Sequence, residues 1–173
     1  MSVVLQDLGR HQEALAHVDR AIEILSHGLG AEHPEVAVQV SNRGEILNAL
    51  GRYRDARQSF ERARIIWERE LGLDARNLAY ALTGIGESYL AERDAVSAVV
   101  PLERAWKIRA AKEADPERRG ETLFALARAL WDSERDRDRA AAFAREARDA
   151  YGKTEVKAKL DEVDSWLAQR KKI

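Results

Sequence analysis

The stretch LGRYRDARQSFERA, Leu50 to Ala63, is repeated along the chain. Moved back 42 residues it meets LGRHQEALAHVDRA (Leu8 to Ala21), and moved forward 42 it meets a looser copy, ERDAVSAVVPLERA (Glu92 to Ala105). Self-similarity at this period marks a solenoid, because a single helical hairpin buries its apolar face only by stacking on the next one. Within the hairpins the apolar residues follow three- and four-residue spacing, which collects them on one face of each helix. The chain therefore reads as all-α: a superhelix of antiparallel helical hairpins ending in a capping helix.

Composition agrees. The 173 residues suffice for one domain with a real core. Ala, Leu, Arg and Glu dominate, prolines number three, and these are helix-forming habits. Lys plus Arg (29) nearly cancels Asp plus Glu (30). A general binder of nucleic acid or of an anionic membrane would carry a basic excess, so neither partner is expected. The absence of cysteine excludes disulfides and thiolate metal sites and is compatible with a cytoplasmic protein. No apolar run approaches the ~20 residues that cross a bilayer, and the N-terminus lacks the pattern of a secretory signal.

Taken in order, residues 1–9 read as the last two turns of a first helix with Val4, Leu5 and Leu8 as its apolar face. The chain thus enters part-way through a hairpin and reads as a fragment of a longer protein. Residues 1–34 form that incomplete hairpin, its second helix running from about His11 to Leu29. Full hairpins are expected over 35–76 (helices near Glu35–Leu50 and Tyr53–Glu70), 77–116 (Asn77–Ala91 and Asp94–Lys112) and 117–153 (Glu117–Ser133 and Asp136–Tyr151). A capping helix over 154–173 follows, with Thr154 as its N-cap and Val156, Leu160, Val163 and Leu167 with Trp166 as its apolar stripe. Pro101 should kink its helix or widen it locally, since its ring removes a backbone donor and crowds the carbonyl of Ser97.

Placed on these hairpins, Gly44, Leu47, Ala56, Phe60 and Ala63 resemble the tetratricopeptide repeat (TPR): small, large, then Ala, aromatic, Ala. Gly86, Tyr89, Ala98, Leu102 and Ala105 repeat it, as do Ala127, Leu130, Ala140, Ala144 and Ala147. The long period and the turn Leu29, Gly30, His33, Pro34 resemble the kinesin-light-chain type of TPR. The segment Leu123 to Tyr151 is similar to the last repeat of TPR arrays that follow bacterial serine/threonine kinase domains. Two features depart from the pattern. Arg43 stands where the family has an apolar residue, and Arg93-Asp94 replaces the Gly51-Arg52 turn.

The resemblance implies a right-handed superhelix whose inner wall is made by the first helix of each hairpin. In that register Gln6, Ser41, Asn42, Glu45, Asn48, Tyr80, Thr83, Glu87, Phe124, Arg128 and Trp131 face the groove. Asn42 occupies the position from which the family contacts a bound peptide backbone, which an amide does by both donating and accepting; otherwise it is an exposed helix asparagine. Its equivalents are Gly84 and Ala125, so there is no asparagine ladder. Phe124 and Trp131 either anchor a ligand or pack under the capping helix, and burial is the commoner use of large aromatics. Glu45 and Glu87 followed by Arg128 make a groove acidic at one end and basic at the other. The pairs Asp19-Arg20, Glu61-Arg62 and Glu103-Arg104 read as a solvated outer face.

No nucleophile–base–acid set, phosphate loop or carboxylate pair stands out, so neither catalysis nor a cofactor is expected. The four histidines lack metal-ligand spacing. The expected function is a protein- or peptide-binding scaffold, a regulatory segment of a larger signalling protein, whose partner is a separate chain or an upstream domain of the same chain. The alternative is a structural spacer or oligomerisation segment, monomeric or weakly dimeric through the incomplete first hairpin.

Overall fold

The computed structural model describes residues 10–112 and 115–170. The turns expected over residues 1–9, Gln6 among them, lie outside the described residues. Among the described residues there are eight helices and no strand: α1 (His11–Leu29), α2 (Pro34–Ala49), α3 (Tyr53–Leu71), α4 (Asn77–Ala91), α5 (Ala95–Lys112), α6 (Pro116–Asp132), α7 (Arg137–Tyr151) and α8 (Lys157–Arg170). The closest packing is within the pairs α2–α3, α4–α5 and α6–α7, and each pair stacks on the next through α3–α4 and α5–α6. Contacts also run from α2 to α4 and from α4 to α6, so the first helices of successive hairpins form one layer.

Local chemistry sets the ends of these helices. Pro34 and Pro116 each occupy the first turn, where a missing N–H costs nothing. The residues before them cap the helices: His33 Nδ1 accepts from Glu35 N at 3.2 Å, and Asp115 Oδ1 accepts from Glu117 N at 2.9 Å. Inside the hairpins, the turn after α2 uses Gly51 at φ 73°, a left-handed conformation glycine adopts freely. The next two turns place Arg93 (φ 63°) and Glu134 (φ 57°) in the same conformation. Arg93 N donates to Leu90 O just as Gly51 N donates to Asn48 O, so the turn keeps its form without glycine. Helix α5 continues through Pro101 as one element. Helix α8 starts at Lys157, and Thr154 Oγ1 accepts from Val156 N ahead of it.

The repeat residues are core. Ala56, Phe60 and Ala63 in α3, Ala98, Leu102 and Ala105 in α5, and Ala140, Ala144 and Ala147 in α7 are all buried. One apolar cluster joins α1 to the first half of α4 and the end of α5, a second runs from the end of α4 to α8, and Tyr89 touches both. The small residues matter because helix axes approach closely there. A Cβ on Gly44 would fall 2.8 Å from the Phe60 ring, and one on Gly86 would fall 2.6 Å from Leu102 Cδ2.

In the acid–arginine pairs of the second helices, Arg20 and Glu61 pair within their own helices, whereas Asp19, Arg62, Glu103 and Arg104 are not simply solvated, as the repeat alone suggests. Arg62 Nη2 donates to Ala31 O at 3.3 Å, and Arg104 Nη2 donates to Leu73 O at 3.1 Å. Arg104 also pairs with Glu68, Glu103 with Arg139, and Asp19 with Arg43. Because the hairpins are stacked in register, each of these side chains meets a neighbouring hairpin and ties it in place. Arg43 is explained by the same geometry: its Nε donates to Asp19 Oδ1 at 2.8 Å and its Nη1 to Ser59 Oγ at 2.9 Å, bridging α2 to α1 and α3.

Candidate partner-binding groove

The layer formed by α2, α4 and α6 carries a polar cleft of about 260 Å³. Five residues that the repeat register assigns to the groove line it together: Glu45 and Asn48 from α2, and Tyr80, Thr83 and Glu87 from α4. The floor is fixed by hydrogen bonds between layers. Asn48 Nδ2 donates to Gly84 O at 3.4 Å, and Asn48 Oδ1 accepts from Ser88 Oγ at 2.8 Å. Thr83 and Thr122 share a buried hydroxyl–hydroxyl bond of 2.8 Å that joins α4 to α6. Asn48 and Thr83 therefore hold the wall together as well as lining it.

The remaining groove residues are distributed differently. Ser41 is buried, and Asn42 is half-buried with one long 3.5 Å contact to Gln39 Oε1. Phe124 is buried and Trp131 half-buried, both edge-on to Trp166 of α8 at centroid distances of 5.9 and 5.6 Å. Arg128 sits with its guanidinium carbon 5.9 Å from the Phe124 ring centroid and borders a second hollow, between α6 and α8.

Four charged residues in the cleft are not among those the register selects: Arg109, Arg118, Glu121 and Lys159. Glu121 lies one hairpin beyond Tyr80 at the same register, so counting on from Tyr80 finds it. Arg109 comes from a second helix, where the pattern assigns only packing. Its side chain is buried beneath the cleft, with its guanidinium carbon 4.8 Å from the Tyr80 ring centroid, while that of Arg118 is 5.3 Å away. Tyr80 is therefore held by two cations, a favourable arrangement for an aromatic face.

The electrostatics follow from this crowding. Glu87 is exposed by surface area, yet it stands in a concavity whose walls displace bulk water. Area and crowding point in opposite directions for a solvated charge. Crowding decides here, because the water of a narrow cleft solvates an ion less well than bulk. Its carboxyl is pushed up to about 7, first by this desolvation and then by Glu121, with Lys159 and Arg128 opposing and Glu45 adding a little. Glu45 is raised by desolvation too, with Arg118 lowering it and Glu121 raising it. Among the described residues no group of three His, Cys, Asp or Glu could hold a metal ion, and no helix is long and apolar enough to cross a membrane.

Two tetratricopeptide-repeat family models match the chain, one over residues 36–111 and one over residues 1–35. The chain is a TPR protein. Its fold is that of the kinesin-light-chain TPR proteins among its structural neighbours. BtubC (BKLC) from P. vanneervenii superposes with a TM-score of 0.76 at 22% identity, over 87% of this TPR chain and 60% of that one. The nearly identical TPR-like repeats of a candidate kinesin light chain from Podosopora anserina superpose at 0.73 with 20% identity, over 99% and 85%. Among curated proteins, clustered mitochondria protein homologs of Aspergillus niger and Emericella nidulans match at 27% and 26% identity over 100 residues. That match takes in 58% of this TPR protein and 8% of the length of those relatives.

Proposed function

We propose that this TPR array is a scaffold that binds a protein or peptide segment in the groove of α2, α4 and α6. The observation carrying the reading is the convergence of Glu45, Tyr80 and Glu87, side chains not used for core packing, on one cleft between successive first helices. The surface is preformed by the Asn48–Gly84, Asn48–Ser88 and Thr83–Thr122 bonds, so little ordering entropy opposes binding. Asn42, with one long hydrogen bond of its own, is the group offered to a peptide backbone. The segment acts as a regulatory part of a larger cytoplasmic signalling protein, and the bound segment comes from a separate chain or from another domain of the same one. A kinase domain is one such neighbour, following the similarity of Leu123 to Tyr151 to kinase-linked arrays.

The test is selection of peptides from a display library on the immobilised protein, followed by binding to a variant with Asn42, Tyr80 and Arg128 all replaced by Ala. Loss of the selected peptides at unchanged helicity supports the groove. Undiminished binding would refute it.

A second reading, self-association, is favoured by one observation. Ile24 is 57% exposed, whereas Ile66 and Ile108, at the same register of later hairpins, are buried. Light scattering over a concentration series separates the readings, since a concentration-independent monomer counts against an oligomerisation role.

A further inference from the structure

Helix α8 is placed at the groove. Lys159 lines the same cleft as Glu45 of α2 and Glu87 of α4, although α8 packs along α7. One turn further Val163 is fully buried, and beyond it Trp166 stands edge-on to both Phe124 and Trp131. Arg170 then lies over Trp166 at 4.1 Å and over Trp131 at 5.5 Å, and reaches Asp132 at 3.8 Å. Lys159, Val163, Trp166 and Arg170 are spaced i, i+4, i+7 and i+11, so they form one stripe of the helix. That stripe covers Phe124 and Trp131, two of the residues assigned to the groove.

The seat is imperfect. Trp166 Nε1 and Arg170 Nε are buried without a hydrogen-bond acceptor among the described residues, a condition that native cores avoid. Solvent-open hollows of about 480 and 240 Å³ flank the helix, the first bordered by Phe124, Arg128, Glu162 and Trp166, the second by Arg145, Arg148, Asp164 and Leu167. Of the ion pairs holding it, Arg148–Asp164 is exposed on both sides and hence weak, and Arg170–Asp132 is long, joining a half-buried arginine to an exposed carboxylate at 3.8 Å. Orphaned donors and weak ties belong to an element of low local stability.

We propose that α8 is a displaceable occupant of the groove, and that the surface beneath it receives a partner's amphipathic helix of the same facial chemistry. Such a helix carries a basic residue, an aliphatic residue four positions on and an aromatic three beyond that. The idea rests on the groove reading above. It assigns the Phe124–Arg128–Trp131 end to a ligand that competes with α8, and it leaves the Asn42–Tyr80 end open throughout.

Two measurements on the full chain test it. Hydrogen exchange of the wild-type protein should show α8 amides exchanging at least tenfold faster than those of α4 and α6. A fluorescent peptide spanning residues 154–173 should bind the Trp166→Ala variant at least tenfold more tightly than wild type, and the same peptide with Trp166→Ala should not compete. Exchange of α8 as slow as that of α4 overturns the proposal, as does a folded Trp166→Ala protein that ignores the peptide. Should that variant fail to fold, the exchange result alone decides. Binding of library peptides at Asn42 and Tyr80 with an immobile α8 would sink this inference and leave the groove reading standing.

Discussion

The Phe60 ring of α3 fills the space that a side chain on Gly84 of α4 would need: a Cβ there would lie 2.6 Å from Phe60 Cε1. The same ring abuts Gly44 of α2, so one aromatic wedges between two successive first helices and reaches the cleft. Gly84 stands at the register of Asn42. The position that could extend an asparagine ladder is thus given over to packing.

Replacing Gly84 by Ala should cost about 1–3 kcal/mol, the range for overpacking a filled core. Combining it with Phe60→Leu, which copies the Leu102 of the following hairpin, should cost less than the sum of the single changes. Urea denaturation of the four proteins measures the coupling, and strict additivity would contradict the wedge.

Arg93 and Glu134 hold left-handed conformations that cost a non-glycine residue roughly 1–2 kcal/mol. Part of any gain from glycine is lost to the greater freedom of the unfolded chain. Arg93→Gly and Glu134→Gly should each stabilise by about 0.5–1 kcal/mol. Glu134 forfeits only an exposed pair with Arg137, worth little. Thermal melts showing destabilisation would mean that these side chains have a further role.

Thr122→Val should destabilise by about 1–2 kcal/mol, because Thr83 loses its buried hydroxyl partner. Replacing both threonines by Val should recover part of that loss, since no orphaned group remains. A double variant as unstable as the sum of the singles would show that the two hydroxyls act separately.

Glu87 makes a pH prediction whose sign is fixed by its raised proton affinity. The folded chain holds this proton up to about pH 7, whereas an unfolded glutamate releases it near its ordinary value of 4.5. The stabilising contribution is full below that lower value and is lost as pH rises through about 7. Glu87→Gln should therefore gain on wild type between pH 5 and pH 8 in urea titrations. A stability difference that does not change over this interval would mean the carboxyl is solvated as in bulk water.

The fold was legible because its packing rule is periodic. Gly44, Ala56, Phe60 and Ala63 recur at fixed register, and the close approach they permit is the same in each hairpin. Where the structure departs from the sequence reading, the cause is contact between stacked hairpins, which no local period records. Arg62 and Arg104 look solvent-facing within their own helices, yet each reaches a loop carbonyl of the hairpin before. Arg109 belongs to a packing helix but lies beneath Tyr80. Glu121 was within reach of the register from Tyr80, whereas Lys159 enters the cleft only because α8 folds back to it. Arg93 could be read as a broken turn in sequence, while its backbone reproduces Gly51.

On the proposed reading, partners bind on the inner faces of α2, α4 and α6. The most direct measurement is hydrogen exchange of the full chain with and without a peptide selected from a display library. Protection should concentrate on Ser41–Asn48 and Tyr80–Glu87. Protection confined to the outer helices α3 and α5, with those two segments unchanged, would contradict it.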